Sequence, residues 1–529
     1  MIQTTNQFNS TANGTIRPLA INAKISFTKE RNDDMGWFVL DQSKLDGDDI
    51  LATNPDDMFQ LWDAYEYIDV SPDIIGMNWS RSVAFPYNVQ SALCELQLNN
   101  VSQKYTYGNT SSVLDGYILP KRPIITYAGF KIHQSAETVP VFVGLTQNMP
   151  KYSSQNDIVA TFSSQDFLSE IASMELNDTV MLRNVRTDEA IATILDEFGM
   201  DSTMYQLDKG INVIPFCVFE SGYNAGNILQ KLVQAENGRM WLDEKGIIRF
   251  EPRTADVGKT PVMTFDEDNI VSITPSRTDG IVNRVKITSD IREVQDKQPI
   301  FSMANEDGYT QPANDDAYRV KANGNADIWI SFDDPIWNAT ANPVLNGDPD
   351  DSAFSAFDLS GNEVSSGVSA VGTLFAESMK LTFTNSNNFP VSINFIEIWG
   401  EPAKVVDTIK YNAYDEDSVE AFGEMVLSIE DNNYFGSYNN ADHYAEDVLK
   451  HRAEYSPTIT LTVKGNPALQ LSDIITLDYK YDGYYRVVGI KSSITNEAGY
   501  RTELTIEKFE LLTAFVLDES VLDGTDVLM

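Results

Sequence analysis

The residues that most often carry chemistry are scarce in this chain. There are three histidines, His133, His443 and His451, and two cysteines, Cys94 and Cys217, in 529 residues. No His pair has the H-E-x-x-H spacing of a hydrolytic zinc helix, and neither Cys lies near a His in sequence, so a zinc site or a Cys/His nucleophile is not expected. Cys94 (SALCELQL) and Cys217 (IPFCVFES) sit in strand-like runs and read as core thiols, with no disulfide framework. No P-loop, G-x-G-x-x-G or G-x-S-x-G occurs. Carboxylates are abundant, and pairs such as Asp333 with Asp334, or Asp348 with Asp350 and Asp351, offer the residue types of a glycosidase. That reaction needs two carboxyls held about 5 to 10 Å apart in a cleft, and acids clustered among Asn, Gly and Pro read first as exposed turns. No catalytic, cofactor-binding or metal-ligating residue is assigned, and no cofactor is expected.

The acids dominate the electrostatics. Seventy-eight Asp and Glu against 38 Lys and Arg give a formal net charge of −40, which repels phosphate backbones. No basic cluster interleaved with aromatics offsets it, so specific nucleic-acid binding is not expected. No apolar run approaches the roughly 18 residues of a membrane span, and the polar start MIQTTNQFNSTANGT lacks the basic and apolar blocks of a signal peptide. The chain reads as made and folded in a cytosol.

The elements that would position any site are mainly strands. Hydrophobic residues at 42% and aromatics at 11% suffice for several cores. Residues 1–17 read as a flexible arm, because Asn, Thr and Ser dominate them. Alternating segments from 18 to 164, among them LAINAKISFTK, SALCELQLNN, RPIITYAGFKI and VPVFVGLTQ, predict a first β-barrel or sandwich. Residues 165–252 predict an α/β unit. In TDEAIATILDEFGM, Thr187 is a fit N-cap, Ala190, Ile191, Ile194, Leu195 and Phe198 share a face, and Gly199 is the C-cap. NAGNILQKLVQAENG predicts a second helix ending at Gly238, and Asp243-Glu244-Lys245-Gly246 a hairpin turn. Residues 253–299 begin a second barrel region. From 300 to 400 short aromatic-rich strands and polar turns predict an inserted β-sandwich. Residues 401–456 read as a helical return segment, 457–510 as the second barrel, and 511–529 as a C-terminal docking segment.

Two internal repetitions stand out. Ile124-Ile125-Thr126, Val141 to Leu145 with Gly144, and Ala160-Thr161-Phe162 precede a late set in the same order: Ile474-Ile475-Thr476, Arg486 to Ile490 with Gly489, and Leu504-Thr505-Ile506. Separately, FVLDQSKLDGDDIL at 38–51 recurs as FVLDESVLDGTDVL at 515–528. Phe515, Leu517, Asp518, Leu522, Asp523, Gly524 and Leu528 of that copy are candidate docking residues, apolar positions around an Asp-Gly turn. The motif lacks the spacing and terminal Glu of a calcium loop.

The order of RPIITYAGFKI, VPVFVGLTQ, TDEAIATILDEFG, AGNILQKLVQAENGRMWLDEKGIIRFEPR, MTFDEDNIVSITPSRTDGIVNRVKI, DSVEAFGEM, ADHYAEDVLKHR and the closing GNPALQLSDIITLDYKYDGYYRVVGIKSSITNEAGYRTELTIEK resembles the hub proteins of tailed phages, the contractile-tail baseplate hubs and siphophage tail-tip hubs. The resemblance spans most of the chain outside 300–400, and none of its motifs is catalytic. It implies a mainly β fold with two similar tail-tube-like barrels, an α/β domain and the inserted sandwich. It further implies a non-enzymatic virion protein at the tail tip: a homotrimeric ring adapting a sixfold tube to a threefold tip and lining the DNA exit channel. The implied partners are a distal tail protein ring, the tape measure protein and tail fibre or receptor-binding proteins. The insert departs from the family pattern. It brings an alternative reading, a host-adhesion protein that binds surface glycan through Trp329, Trp337 and Trp399, and a wall-degrading enzyme is a third.

Overall fold

The computed structural model describes residues 1–27, 67–83, 91–133, 135–153, 158–276, 280–303, 318–348, 350–453, 458–495 and 499–510, with short backbone segments at 513–514 and 526–527. Both copies of the FVLD motif, with its seven candidate docking residues, lie essentially outside this set. The described chain is mostly strand in antiparallel sheets, and none of its helices is long and apolar enough to cross a membrane.

The N-terminal segment is not a free arm. Asn6–Asn13 forms helix α1, capped by Thr5, whose side chain accepts from the Phe8 N–H. Phe8 and Ala12, four residues apart, are buried, and the Phe8 ring meets Phe130 edge-on at 5.0 Å. The polar composition hides this pair, which supplies the one apolar stripe the helix needs. The Ile2 N–H donates to the Ala468 carbonyl, and the Met1 ammonium pairs with Asp473.

The longer described strands of the first unit are β1 (Leu19–Ile25), β2 (Ile74–Ser82), β3 (Leu93–Asn99), β4 (Pro123–Ile132), β5 (Ser135–Thr146) and β6 (Val159–Gln165), with short strands at Ile68–Asp69 and Lys151–Tyr152. Alternation drives them; in β3 Cys94, Leu96 and Leu98 point inward while Leu93, Glu95 and Asn99 point out. Their order in the sheet is β2-β3-β6-β5-β4-β1.

The α/β unit contains β7 (Val180–Arg186), α2 (Thr187–Glu197), β8 (Tyr205–Leu207), β9 (Val213–Phe219), α3 (Ala225–Glu236), β10 (Arg239–Leu242) and β11 (Ile248–Glu251). Ala190, Ile191, Ile194 and Leu195 of α2 face Ile228, Leu229, Leu232 and Val233 of α3, all buried. Burying each of the larger side chains stabilises by roughly 1.5–3 kcal/mol. Gly199 closes α2 at φ 73°, as expected. Two capping details differ. Arg186 occupies the N-cap position of α2, and the Thr187 hydroxyl is buried, donating to Glu236. The left-handed residue after α3 is Asn237, at φ 51°, rather than Gly238.

The second unit opens with β12 (Met263–Phe265) and β13 (Ile270–Ser276). The chain then leaves it, earlier than expected. β14 (Arg284–Val294) pairs with the distal half of a 24-residue strand, β20 (Val391–Tyr414). Between them lies the insert, with β15 (Gln298–Ser302), β16 (Gly324–Ser331), β17 (Ala353–Asp358), β18 (Val368–Leu374) and β19 (Ser378–Asn385). Its sheet β16-β19-β18 and the sheet holding β15, β17 and the proximal half of β20 share one apolar core that includes Ile328, Ile330, Leu381, Phe383, Phe354 and Ile396. The segment 401–456 is therefore only partly helical. It starts with the rest of β20, continues to β21 (Val426–Ile429) parallel to β14, and ends in α4 (Tyr438–Arg452). Val405–Tyr414, expected as part of a helical return segment, is strand because β14 pairs with it.

The chain re-enters the second unit with β22 (Thr458–Lys464), β23 (Ile474–Leu477), β24 (Gly483–Thr495) and β25 (Gly499–Phe509). The order is β13-β22-β25-β24-β23-β12, the same as in the first unit, strand for strand. Even a bulge repeats, between Ile74 and Gly76 in one and Ile270 and Ser272 in the other. One partner differs: β1 runs antiparallel to β4, whereas β12 is parallel to β23. The register also corrects the glycine correspondence. Leu145 faces both Pro123 and Gln165, and Arg486 faces both Ile474 and Glu507, so Leu145 and Arg486 are equivalent while Gly144 and Gly489 are not.

Candidate functional site

The two units meet through the far half of β24, which pairs antiparallel with β2 from Gly489 opposite Ser82 to Thr495 opposite Gly76. One sheet thereby runs through both units. Above this joint stands the hairpin turn between β10 and β11. Its Asp243 carboxylate accepts from the Lys245 and Ile247 N–H groups at 2.9 and 3.0 Å, which shapes the tip and aims Glu244 at the joint.

Glu244 is buried there against Arg81 of β2, with which it forms an ion pair. Arg81 also donates to the Val141 carbonyl of β5, and Gln470 of the second unit donates to Glu244 at 2.8 Å. Three parts of the chain thus converge on one carboxylate. Burial pushes the Glu244 carboxyl up; Arg81 opposes the shift and Asp243 adds to it.

Asp166, at the end of the first unit, is also buried and accepts from the Ala92 N–H at 2.7 Å. Burial raises its carboxyl from 3.8 to about 6, against the lowering effects of that hydrogen bond and of Arg81. The folded protein therefore keeps a proton that the unfolded chain has released. Stability from this group is fully present below about pH 4 and is lost as pH rises through 6, a change of about 3 kcal/mol. Asp166→Asn is expected to remove that slope in urea unfolding between pH 4 and 6; an unchanged slope would assign it to other groups.

A second buried network joins the α/β unit to the second unit. Arg239 grips Asp256 with two hydrogen bonds of 2.8 and 2.9 Å and reaches Glu251 at 2.7 Å. Arg486 of β24 meets Asp256 at 2.6 Å. Lys259 binds Glu251 at 2.9 Å and the Ser472 hydroxyl at 2.9 Å. Burial alone would raise Asp256, but Arg239 and Arg486 outweigh it and hold the carboxyl far below the usual range. Beside this network lies a cavity of about 400 Å³ whose walls include Asp208, Asp243, Arg249, Glu251 and Lys259. Its acids are engaged: Asp243 with Arg249 at 2.9 Å, and Glu251 with Arg239 and Lys259. Asp208 is pushed up by burial and by Glu251. Among the described residues no group of His, Cys, Asp or Glu is placed to hold a metal ion. The arrangement suits cohesion between units better than bond-breaking.

The residues singled out from sequence are scattered. Trp329 is exposed on β16 and stacks with Phe375 at 5.4 Å. Trp337 is half-buried and meets Phe216 of the α/β unit edge-on at 6.2 Å, bracing the insert. Trp399 is half-buried on β20, its indole N–H enclosed with no hydrogen-bond partner among the described residues. The three do not form one surface. Asp334 pairs with Arg292 and Asp351 with Lys297, while Asp348 accepts from the Asp350 N–H within a turn. Cys94 and Cys217 are buried, their thiols pushed up to about 12 by desolvation. What the sequence reading missed is Arg81, Glu244, Arg239, Asp256 and Arg486. The available signal was an arginine inside an otherwise strand-like run, as in MNWSRS, GRMWL and YYRVVGI.

No family model matches the chain, and no curated protein matches it. Similar solved structures include tail proteins, two of them from prophages, and a component of a type VI secretion system. They include the tail protein from Neisseria meningitidis MC58, at 10% identity and TM-score 0.46 over 84% of this chain and 94% of that one. The 43 kDa tail protein of prophage MuSo2 from Shewanella oneidensis aligns at 10% identity and TM-score 0.42 over 83% and 94%. Prophage tail protein gp18 from Listeria monocytogenes EGD-e does so at 10% and 0.39 over 84% and 91%.

Proposed function

We propose that this chain is the structural, non-enzymatic hub of a phage tail tip, three copies closing into a ring of six similar β units around a DNA exit channel. The observation that carries this reading is the repeated six-strand order with a ready-made joint inside the chain. Where β2 of the first unit is covered by β24, its equivalent β13 in the second unit has an outer edge with no partner in the described chain. An uncovered edge strand is a template for pairing. Val271 on it is 51% exposed.

The partner for that edge follows from equivalence. Lys491 faces Ser80 in the internal joint and Glu503 on its other side. Lys151 faces Thr161 as Lys491 faces Glu503, and Ser276 faces Thr458 as Ser80 faces Leu93. Lys151 of one copy therefore meets Ser276 of the next. Three copies with two units each make six joints, the symmetry that seats a threefold hub beneath a sixfold tube. Three copies also carry three times the −40 formal charge, and an acidic lumen lets DNA pass without sticking. In a virion the neighbours of such a ring are a distal tail protein ring, the tape measure protein and receptor-binding components.

The test is a Lys151→Cys/Ser276→Cys double variant. Paired antiparallel residues sit about 4.5–5.5 Å apart at Cα, within disulfide reach. Oxidation is expected to give a covalent ladder that stops at three times 59.1 kDa, and neither single variant should form it. Monomer only, at every concentration, or a ladder without end would overturn the closed ring.

A further inference from the structure

We propose that the outer face of the insert's three-stranded sheet, β16-β19-β18, binds a neutral glycan, with the Trp329–Phe375 pair as its stacking platform and Asp327, Lys380 and Thr382 as its hydrogen-bonding groups. The inner face of this sheet is spent on the core, through Ile328, Ile330, Leu381 and Phe383. Among the described residues nothing covers the outer face. Trp329 is 59% exposed and Phe375 45%. Their rings lie 28° from parallel, so each limits the other's rotation and the pair forms a fixed apolar surface at little further entropic cost.

The polar groups beside the pair are also held in place. Lys380 lies opposite Trp329 in the register, and Asp327 lies opposite Thr382 one row along. The Lys380 ammonium reaches Asp327 at 2.8 Å, and the Thr382 hydroxyl donates to Asp327 at 2.8 Å. Donors and acceptors thus stand at fixed positions beside an aromatic surface. A sugar ring needs that combination: a C–H face to stack and hydroxyls to pair.

Composition separates this occupant from two others. Of the outward positions on the three strands only Trp329 and Val371 are large and apolar, with Phe375 just past the end of β18; the rest are hydroxyl, amide or charged. That is too little apolar area for the desolvated centre of a protein interface. Charge decides against polyanions. Between 300 and 400 fourteen Asp and Glu stand against three Lys and Arg, so a phosphate-bearing wall polymer is repelled while an uncharged saccharide is not. Trp337 and Trp399 take no part, because both are half-buried in packing. The site stands on the insert's own geometry and is independent of the ring.

The experiment titrates the full chain with oligomers of neutral hexoses, N-acetylhexosamines and deoxyhexoses, read by calorimetry and tryptophan fluorescence, with poly(glycerol phosphate) as the anionic comparison. Saturable binding to at least one neutral oligomer is expected. Trp329→Ala and Phe375→Ala should each weaken it about tenfold or more. Asp327→Asn should weaken it with the fold intact, and all three variants should unfold at the parent's temperature because the positions are exposed. The proposal is overturned if no neutral oligomer binds, if only the polyanion binds, or if Trp329→Ala binds as the parent does. It is also overturned if the substitution alters only self-association, which would make the patch a protein contact.

Discussion

Replacing Arg81 with Met is expected to destabilise the protein by about 3–5 kcal/mol, because it leaves the Glu244 carboxylate buried without its cation. Gln470 and a backbone N–H would still donate to it, and neutral donors do not repay the desolvation of a charge. Glu244 would then fold most easily as the neutral acid, with its folded-state pKa raised further. For such a group the extra stability is present below the unfolded carboxylate pKa and lost as pH rises through the folded one, so the variant should be least impaired in acid. The double variant Arg81→Met/Glu244→Leu is expected to recover most of the loss, since neither charge remains to be desolvated. Urea unfolding of parent, both single variants and the double variant gives the cycle. A single-variant loss below about 0.5 kcal/mol, the range of ordinary surface substitutions, would show that the pair is not a buried lock. The consequence for assembly is separate. Arg81 sits on the strand that β24 covers, so a loosened joint should also lower the yield of the cross-linked trimer.

Asp256→Ala carries the second large effect, again about 3–5 kcal/mol, for the opposite reason. Two guanidinium groups, those of Arg239 and Arg486, lose their shared carboxylate in a buried site. In the parent, the depressed Asp256 carboxyl contributes stability that is present above the unfolded pKa and lost as pH falls through the folded value, which lies far below the usual range. The parent should therefore keep this contribution through mildly acidic conditions, and the variant should show its deficit at pH 5 and pH 7 alike. Limited proteolysis offers a second readout. Arg486 belongs to the second unit and Arg239 to the α/β unit, so cleavage in the connection near Thr254–Thr260 should quicken in the variant. An unchanged cleavage rate together with an unchanged urea midpoint would remove the network from the account of how the units cohere.

Much of the local structure was legible in the residues. Alternation in Thr458–Lys464 and Leu93–Asn99 is a property of the nearest neighbours, and each became a strand with its apolar positions inward. The stripes of Thr187–Glu197 and Ala225–Glu236 became helices for the same reason, and Gly199 ended the first of them. Scarcity of histidine and absence of nucleophile motifs are likewise statements about residue types, which folding cannot change. The order of segments was repeated visibly enough to suggest two similar units.

The tertiary structure decided what depends on distant partners. Local pattern does not say that β24 pairs with β2, some four hundred residues earlier, because a strand's edge carries no label beyond its own backbone groups. It placed Leu145 in the position of Arg486 and so separated Gly144 from Gly489, since equivalence lies in the ladder rather than in matching letters. It turned a polar N-terminal stretch into a helix by giving Phe8 a ring to meet. It sent Trp329 to the surface and Trp337 and Trp399 into packing, a choice made by which faces of the insert were covered. Above all it buried Arg81, Glu244, Arg239 and Asp256, residue types that composition assigns to water. Their burial is stable only because opposite charges from separate units arrive at the same place, and that coincidence exists nowhere in the sequence until the chain is folded.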